Sequence, residues 1–179
     1  WRSRVFERYA NGQWSPSASL RVTDQSSPIE IPMNQEVIGL QRSPITQKIT
    51  IGMTNSRIFY TLPQPSTIDG TGRIDLLYTD EPNNTSMNVS VIRPLQVLSR
   101  GTVYNTTSLI STASADDLRG ASTVYPEWIR NPNLFLSQPS GRVLTLAQQI
   151  VNDAGATNPY DKAKAIERWL RTNIAYNES

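Results

Sequence analysis

The sequence predicts an α+β protein in which an antiparallel β-sandwich-like N-terminal part is followed by C-terminal helices. The composition is the first observation: hydrophobic residues make up 37% and charged residues 18%, while Ser, Thr, Asn and Pro are abundant. This mixture is typical of β-rich proteins with polar loops. The second observation is alternation of apolar and polar residues up to about residue 112, and the third is the three- and four-residue apolar spacing that begins near Ser114. Strands first and helices second indicate the α+β class.

The N-terminal segment WRSRVFERYANGQW predicts a β-hairpin. Asn11-Gly12 supplies the turn, and a second strand begins at Trp14. Residues 15–35 contain three prolines among Ser, Gln and Asn, so they predict a long loop or edge with short strands at most.

Further strands are predicted wherever β-branched or alternating residues run together. These segments are ITQKITIGM (45–53), RIFYTL (57–62), RIDLLY (73–78), SMNVSVI (86–92) and GTVYNTTSLI (101–110). The stretch PQPSTIDGTG between the second and third segments predicts turns. Short strands spaced by about ten residues are typical of an antiparallel sandwich or partial barrel.

The second half of the chain predicts helices with recognisable ends. Ser114 followed by two aspartates predicts a capped helical turn that ends near Gly120, and SGRVLTLAQQIVNDAG (140–155) predicts a helix ended by Gly155. A short helix is also expected around Trp128. The predicted organisation is therefore a β-sandwich-like accessory domain at 1–112, a connector at 113–139 and two helices within 140–179.

The last predicted helix begins with strong signals. Asn158 is a good N-cap residue, Pro159 suits the first helical position, and Asp161 lies where a carboxylate meets free N–H groups. One face of this helix is apolar: Ala163, Ile166, Trp169, Leu170 and Ile174. Such a face must be buried against a partner, because packing supplies most of a helix's stability.

The residue types that are missing exclude several functions. The sequence has no Cys and no His, which excludes a thiolate nucleophile, an imidazole base, a histidine-ligated metal and a disulfide in this chain. No catalytic, cofactor-binding or metal-ligating residue is predicted. The net charge of +2 and the lack of a basic cluster argue against nucleic-acid binding. No apolar run is long enough to cross a bilayer, and the start at Trp1 predicts a fragment of a longer protein.

Two stretches carry a family resemblance. YPEWIRNPNLFLSQPSGRVLTLAQQIV and NPYDKAKAIERWLRTNIAYN together resemble the lead-in to the core of bacterial membrane-anchored transglutaminase-like proteins, a cysteine protease superfamily. The positions that match the family's second helix and its extended segment are Lys164, Ala165, Ile166, Glu167, Leu170 and Tyr176. WRSRVFERYANGQW and GTVYNTTSLIS are similar to the segment that follows the family's transmembrane helices and to a strand of the region before the core.

The resemblance implies an extracytoplasmic accessory region that lies between the transmembrane helices and a papain-like Cys-His-Asp core. It implies that the parent protein is a transglutaminase-like acyltransferase or a cysteine protease, tethered to the bacterial cell membrane. The catalytic cysteine of the family would fall after Ser179, so no catalytic residue is carried onto this chain. The expected partner is that downstream core, which would pack on Ile166, Trp169, Leu170 and Ile174, and a cell-envelope protein or peptide is a further expected partner.

Two alternatives stay open from the sequence. The last helix could instead pack back on the β-rich part and complete an independent domain, and the chain would then be a free-standing β-sandwich module that binds carbohydrate or protein. Five aromatic residues could form a platform for sugar: Trp1, Trp14, Tyr60, Trp128 and Trp169. Because large aromatic side chains are usually buried, we interpret them as core residues.

Overall fold

A computed structural model describes residues 4–6, 8–10, 12–15, 19–24, 26–31, 41–79, 86–125, 130, 134 and 140–175. The chain divides into two compact units. The β unit comprises Trp1–Thr112 with Glu127–Phe135, and the helical unit comprises Ala113–Pro126 with Leu136–Ser179. Each unit is described by itself.

Nine strands and three helices of six residues or more form within these described ranges. The strands are β1 (Arg8–Ala10), β2 (Gln13–Ser15), β3 (Ser19–Asp24), β4 (Ile29–Glu30), β5 (Arg42–Thr50), β6 (Pro65–Ile68), β7 (Gly72–Thr79), β8 (Ser86–Pro94) and β9 (Val103–Ser111). The helices are α1 (Ala115–Gly120), α2 (Gly141–Asp153) and α3 (Pro159–Asn173). Strands precede helices, so the predicted α+β class is confirmed.

The strands of the described residues form three sheets, in which all strand pairs are antiparallel. Their strand orders are β1-β2, β3-β7-β8 and β4-β6-β9-β5. Strands β7, β8 and β9 lie where the alternation of the sequence predicts them. The predicted antiparallel arrangement is therefore confirmed.

One hydrophobic cluster holds the two larger sheets together. Ile74 and Leu76 reach it from the three-stranded sheet, while Ile68 and Tyr104 reach it from the four-stranded sheet. The period-two alternation of β7 places Ile74 and Leu76 in this cluster, whereas a bulge in the pairing of β7 with β8 lets both Val89 and Ile92 reach it. Gly72 is required where the sheets approach closely, because a Cβ there would lie 2.8 Å from the carbonyl oxygen of Arg93 and 2.9 Å from Cδ1 of Ile29.

The predicted strand at 57–62 is wrong. Ser56 forms an isolated bridge with Leu98, and the chain then runs as an irregular segment over the inner face of β9. Its backbone bonds in part to β8, since the N–H of Phe59 donates to the carbonyl of Ile92 at 2.9 Å, and in part to side chains. The N–H of Tyr60 donates to Oη of Tyr104 at 2.7 Å, and Oγ of Ser108 donates to the carbonyl of Leu62 at 3.2 Å. The β-forming residues of this segment thus serve packing rather than strand pairing.

The region 15–35 contains β3 and β4, in line with the prediction of short strands at most. The sequence misses one strand, because the stretch predicted as turns contains β6. Prolines indicated loops, yet β6 accommodates Pro65 beside an irregularity in its register with β9. Its other end, Ile68, is fully buried and pairs with Ile29 of β4 and Thr106 of β9. Long-range pairing therefore overrides the local turn signal.

The N-terminal hairpin forms as predicted, since β1 and β2 flank a turn in which Gly12 has a φ of 77°. The core interpretation of Trp14 is wrong. This side chain is 63% exposed and lies 5.1 Å, between ring centroids, from Tyr9 across the hairpin. A two-stranded sheet has too little surface to bury an aromatic pair.

The helix ends follow the predicted capping. The Ser114 side chain and Asp117 form a capping box at α1, and the Asn158 side chain accepts from the N–H of Asp161 at the start of α3. Gly155 follows the C-cap of α2 with a φ of 60°. These capping residues could be predicted from the sequence, because a cap involves only the few residues around a helix end. The helix expected around Trp128 lies outside the described residues.

Candidate functional site

Within the described part of the chain, no group of three or more Asp and Glu side chains is arranged to hold a metal ion. The sequence also lacks Cys and His. The features with potential function are therefore a buried carboxylate, an uncovered helix face, exposed aromatic residues and a groove beside a sheet edge.

The buried carboxylate is that of Asp75 in β7, whose side chain is 7% exposed. Arg21 of β3 binds it with both ends of its guanidinium, at 2.5 Å from Nε to Oδ1 and 3.0 Å from Nη2 to Oδ2. Nε of Arg93 donates to Oδ2 at 3.4 Å. The hydrogen bond from Arg21 lowers the pKa of Asp75, and Arg93 adds to the effect. A carboxylate held ionised by two guanidinium groups suits an ion pair and not a general acid.

We expect Asp75→Asn to destabilise the β unit by roughly 1–3 kcal/mol, because two guanidinium groups lose their charged partner. The wild-type contribution is present above about pH 4 and is lost as the pH falls through the lowered pKa of Asp75. The stability difference between wild type and variant should therefore shrink in acid. Urea unfolding at several pH values measures it.

The control for this prediction is Asp69→Asn. Asp69 is exposed and accepts from Nδ2 of Asn105 at 2.7 Å. Its replacement should change stability by less than about 1 kcal/mol at any pH. An equal loss in both variants would show that the burial of Asp75 does not matter.

The helical unit is held by a polar contact and by partial packing. Nε of Arg119 in α1 donates to both carboxylate oxygens of Asp161, at 3.1 and 3.2 Å. The Arg119 guanidinium also lies 5.5 Å from the ring centre of Tyr160. Hydrogen bonds from Asn158 and then Arg119 lower the pKa of Asp161. These contacts fix α1 against the first turn of α3.

The predicted apolar face of α3 is only partly covered. Ile166 and Trp169 are half-buried, whereas Leu170 is 44% and Ile174 is 56% exposed. α3 buries no residue, and Ile150 is the single buried residue of α2. Three of the four side chains that the sequence singled out belong to α3, and Ile174 is the extended C-cap residue that follows its last turn. We call Ile166, Trp169, Leu170 and Ile174 the α3 face.

Three of the five aromatic residues considered as a sugar platform lie among the described residues. Trp14 lies beside Tyr9 in the hairpin, Tyr60 lies against the inner side of β9, and Trp169 belongs to α3. Trp1 and Trp128 lie outside the described residues. Trp14 is exposed, and so is its neighbour Tyr9, which was not among the five residues.

A groove of about 520 Å³ follows the end of β5. It is lined by the consecutive residues Lys48–Met53 and by Tyr60. The Tyr60 hydroxyl donates to Sδ of Met53 at 3.7 Å. The aromatic ring of Tyr60 and the flexible side chain of Met53 therefore form one wall of the groove. Sequence reasoning missed this groove, because the segment that carries Tyr60 was predicted as a paired strand.

No family model, curated protein or solved structure matches this chain. In the part of the chain that the structure describes, no helix is long and apolar enough to cross a membrane.

Proposed function

We propose that this chain is a non-catalytic, extracytoplasmic accessory region of a bacterial membrane-anchored transglutaminase-like protein. Its helical unit would begin the transglutaminase-like core, and its β unit would hold that core at a distance from the membrane. The parent would act through a thiolate that attacks an amide, with histidine as base and aspartate as its orienting group. None of those groups belongs to this chain, because it has no Cys and no His.

The observation that carries this proposal is the α3 face. It coincides with the stretch NPYDKAKAIERWLRTNIAYN, which resembles the family's lead-in to its core. Two of its apolar side chains, Leu170 and Ile174, remain about half exposed at the end of the helix. An amphipathic helix gains its stability from a buried apolar stripe, so a catalytic core of the same polypeptide would supply the missing cover.

Hydrogen exchange tests the proposal. The amides of α3 are compared between this chain and a version extended by the codons that follow Ser179 in the gene. If the α3 face packs on a core, exchange in the extended protein should be slower by at least about tenfold. The reading of those codons is itself a test, because a Gly-x-Cys motif followed by His and Asp is expected.

Matched variants show whether the α3 face is responsible. Leu170→Ser should reduce the added protection in the extended protein, whereas Arg168→Ala, on an exposed position of the same helix, should preserve it. Equal exchange of α3 in the two lengths of chain would contradict the proposal.

A second candidate is a free-standing module that binds carbohydrate. The exposed side chain of Trp14 favours it, because an exposed aromatic ring can stack on a sugar ring. A stop codon or a second sandwich in the following codons, together with quenching of Trp14 fluorescence by soluble glycans, would favour this function over the first.

A further inference from the structure

Among the described strands, β5 is one of the two edge strands of the four-stranded sheet, and β4 is the other. The strand order β4-β6-β9-β5 places β5 at the end, and no described strand pairs with its other side. β5 is one of the longest strands, and Thr46, Lys48 and Thr50 in its second half are exposed. Edge strands present unpaired N–H and C=O groups, which are a template for another strand.

The register shows which backbone groups of β5 are free. The N–H of Ile51 donates to Thr102, and the carbonyl of Gln41 accepts from Thr112. Residues at every second position between these two therefore face β9, since antiparallel partners alternate. The intervening residues Thr46, Lys48 and Thr50 point their backbone groups to the free edge.

Pro44 belongs to the same outward set. Its lack of an N–H therefore removes no bond to β9, which is the position at which a proline is tolerated in a strand. Pro44 limits the free edge at one end, and the groove beside Lys48–Met53 adjoins it at the other. The usable edge thus consists of three alternate donor and acceptor pairs.

The side chains along this edge have two different faces. Lys48 lies on the outer face opposite Asn105, whereas Ile49 lies opposite Tyr104 and is buried in the core. Ile45, on the same face as Ile49, is 42% exposed. A strand added at this edge would therefore meet a cation on its outer face. It would meet apolar groups and the groove on its inner face.

We propose that β5 binds an extended acidic peptide of a partner protein as a fifth, antiparallel strand. The peptide backbone pairs with Thr46, Lys48 and Thr50. A carboxylate side chain lies opposite Lys48, and a neighbouring apolar side chain enters the groove lined by Lys48–Met53 and Tyr60. This mode of recognition takes its affinity from main-chain hydrogen bonds and its specificity from alternate side chains. It does not depend on the transglutaminase-like proposal.

Charge selects this occupant over a second copy of the chain. In an antiparallel pair of two β5 strands in which Thr46, Lys48 and Thr50 all bond to the other copy, Lys48 lies directly opposite Lys48 of that copy. Like charges directly opposite each other destabilise a strand pair. An acidic residue at that position of a partner peptide forms a favourable pair instead.

The test uses the full chain and a fluorescent synthetic peptide in which valine and threonine alternate around a central glutamate. Backbone amide exchange is followed by NMR. In the free protein the amides of Gln47 and Ile49 should exchange slowly and those of Thr46, Lys48 and Thr50 rapidly. Peptide binding, followed by fluorescence anisotropy, should slow the second set by roughly tenfold or more.

Controls on the peptide leave the protein intact. Methylation of the peptide nitrogens that face β5 should abolish binding, while methylation of the alternate nitrogens should preserve it. Replacement of the central glutamate by lysine should weaken binding to wild type by roughly two- to fivefold. Lys48→Glu should reverse this preference.

A protein variant tests the backbone contact. Thr50→Pro removes one outward donor and should weaken binding by roughly fivefold, whereas Thr50→Val keeps the N–H and should bind as wild type does. No anisotropy change with the glutamate peptide would overturn the proposal. Protection of the amides of Thr46, Lys48 and Thr50 that increases with protein concentration, without peptide, would also overturn the proposal. The strand added to β5 would then belong to a second copy of the chain.

Discussion

Ile68→Ala should destabilise the β unit by about 2–4 kcal/mol. Ile68 is 0% exposed and lies in β6 between Ile29 of β4 and Thr106 of β9. Truncation removes buried methyl and methylene groups and leaves a cavity between the two larger sheets, which paired strands close only in part. Urea unfolding followed by circular dichroism in the β-sheet region measures the loss.

Ile45→Ala is the matched control, because it removes the same atoms from the same sheet. Ile45 is 42% exposed in β5, so its truncation should cost less than about 1 kcal/mol. If the two variants lost equal stability, the cluster around Ile68 would not be the core of the β unit.

Tyr104→Phe should destabilise the β unit by about 2–3 kcal/mol. The Tyr104 hydroxyl accepts from the N–H of Tyr60 at 2.7 Å and donates to the carbonyl of the same residue at 3.0 Å. One hydroxyl thus satisfies both backbone groups of Tyr60, next to Phe59, whose N–H donates to the carbonyl of Ile92 in β8. Removal of the hydroxyl leaves two backbone groups without their hydrogen bonds in the partly buried segment.

The hydrogen bonds of the Tyr104 hydroxyl also predict a loss of stability at alkaline pH. Burial raises the pKa of Tyr104 to about 12. An unfolded tyrosine ionises near pH 10, so the contribution of Tyr104 is complete below pH 10 and is lost as the pH rises toward about 12. Wild type should lose roughly 2 kcal/mol over this interval from Tyr104 alone, and Tyr104→Phe should not show this component.

Tyr60→Phe is the control for both measurements. Its hydroxyl makes a long hydrogen bond to Met53 at 3.7 Å, so its loss should cost less than about 1 kcal/mol. An alkaline loss of the same size in Tyr104→Phe and in wild type would contradict the assignment of the raised pKa to Tyr104.

The sequence predicted elements whose signals are local. β7, β8 and β9 are rich in β-forming residues, and α1, α2 and α3 have caps that act within a few residues of each helix end. It did not predict β6, where prolines indicated a turn, nor the irregular path of residues 56–62, where β-forming residues indicated a strand. Both errors arise because β9 is distant in sequence. β6 forms because it pairs with β9, and residues 56–62 stay irregular because side chains of β9 bind their backbone, and these contacts outweigh local preference.

The candidate sites divide in the same way. The α3 face could be read from the spacing of Ile166, Trp169, Leu170 and Ile174, because helical periodicity places these residues together before any packing occurs. The free edge of β5 could not be read, because the strand order and the register with β9 determine which backbone groups remain unpaired.

The sequence by itself determined the α+β class, the helix ends and the absence of Cys and His chemistry, because composition, capping and periodicity are properties of short segments. Only the tertiary structure decided that Asp75 is buried between Arg21 and Arg93, and that Tyr104 binds the backbone of Tyr60. It also decided that β5 lies at an edge. The physical reason is that these contacts join residues distant in sequence, and their energies depend on burial and strand order that no local pattern contains.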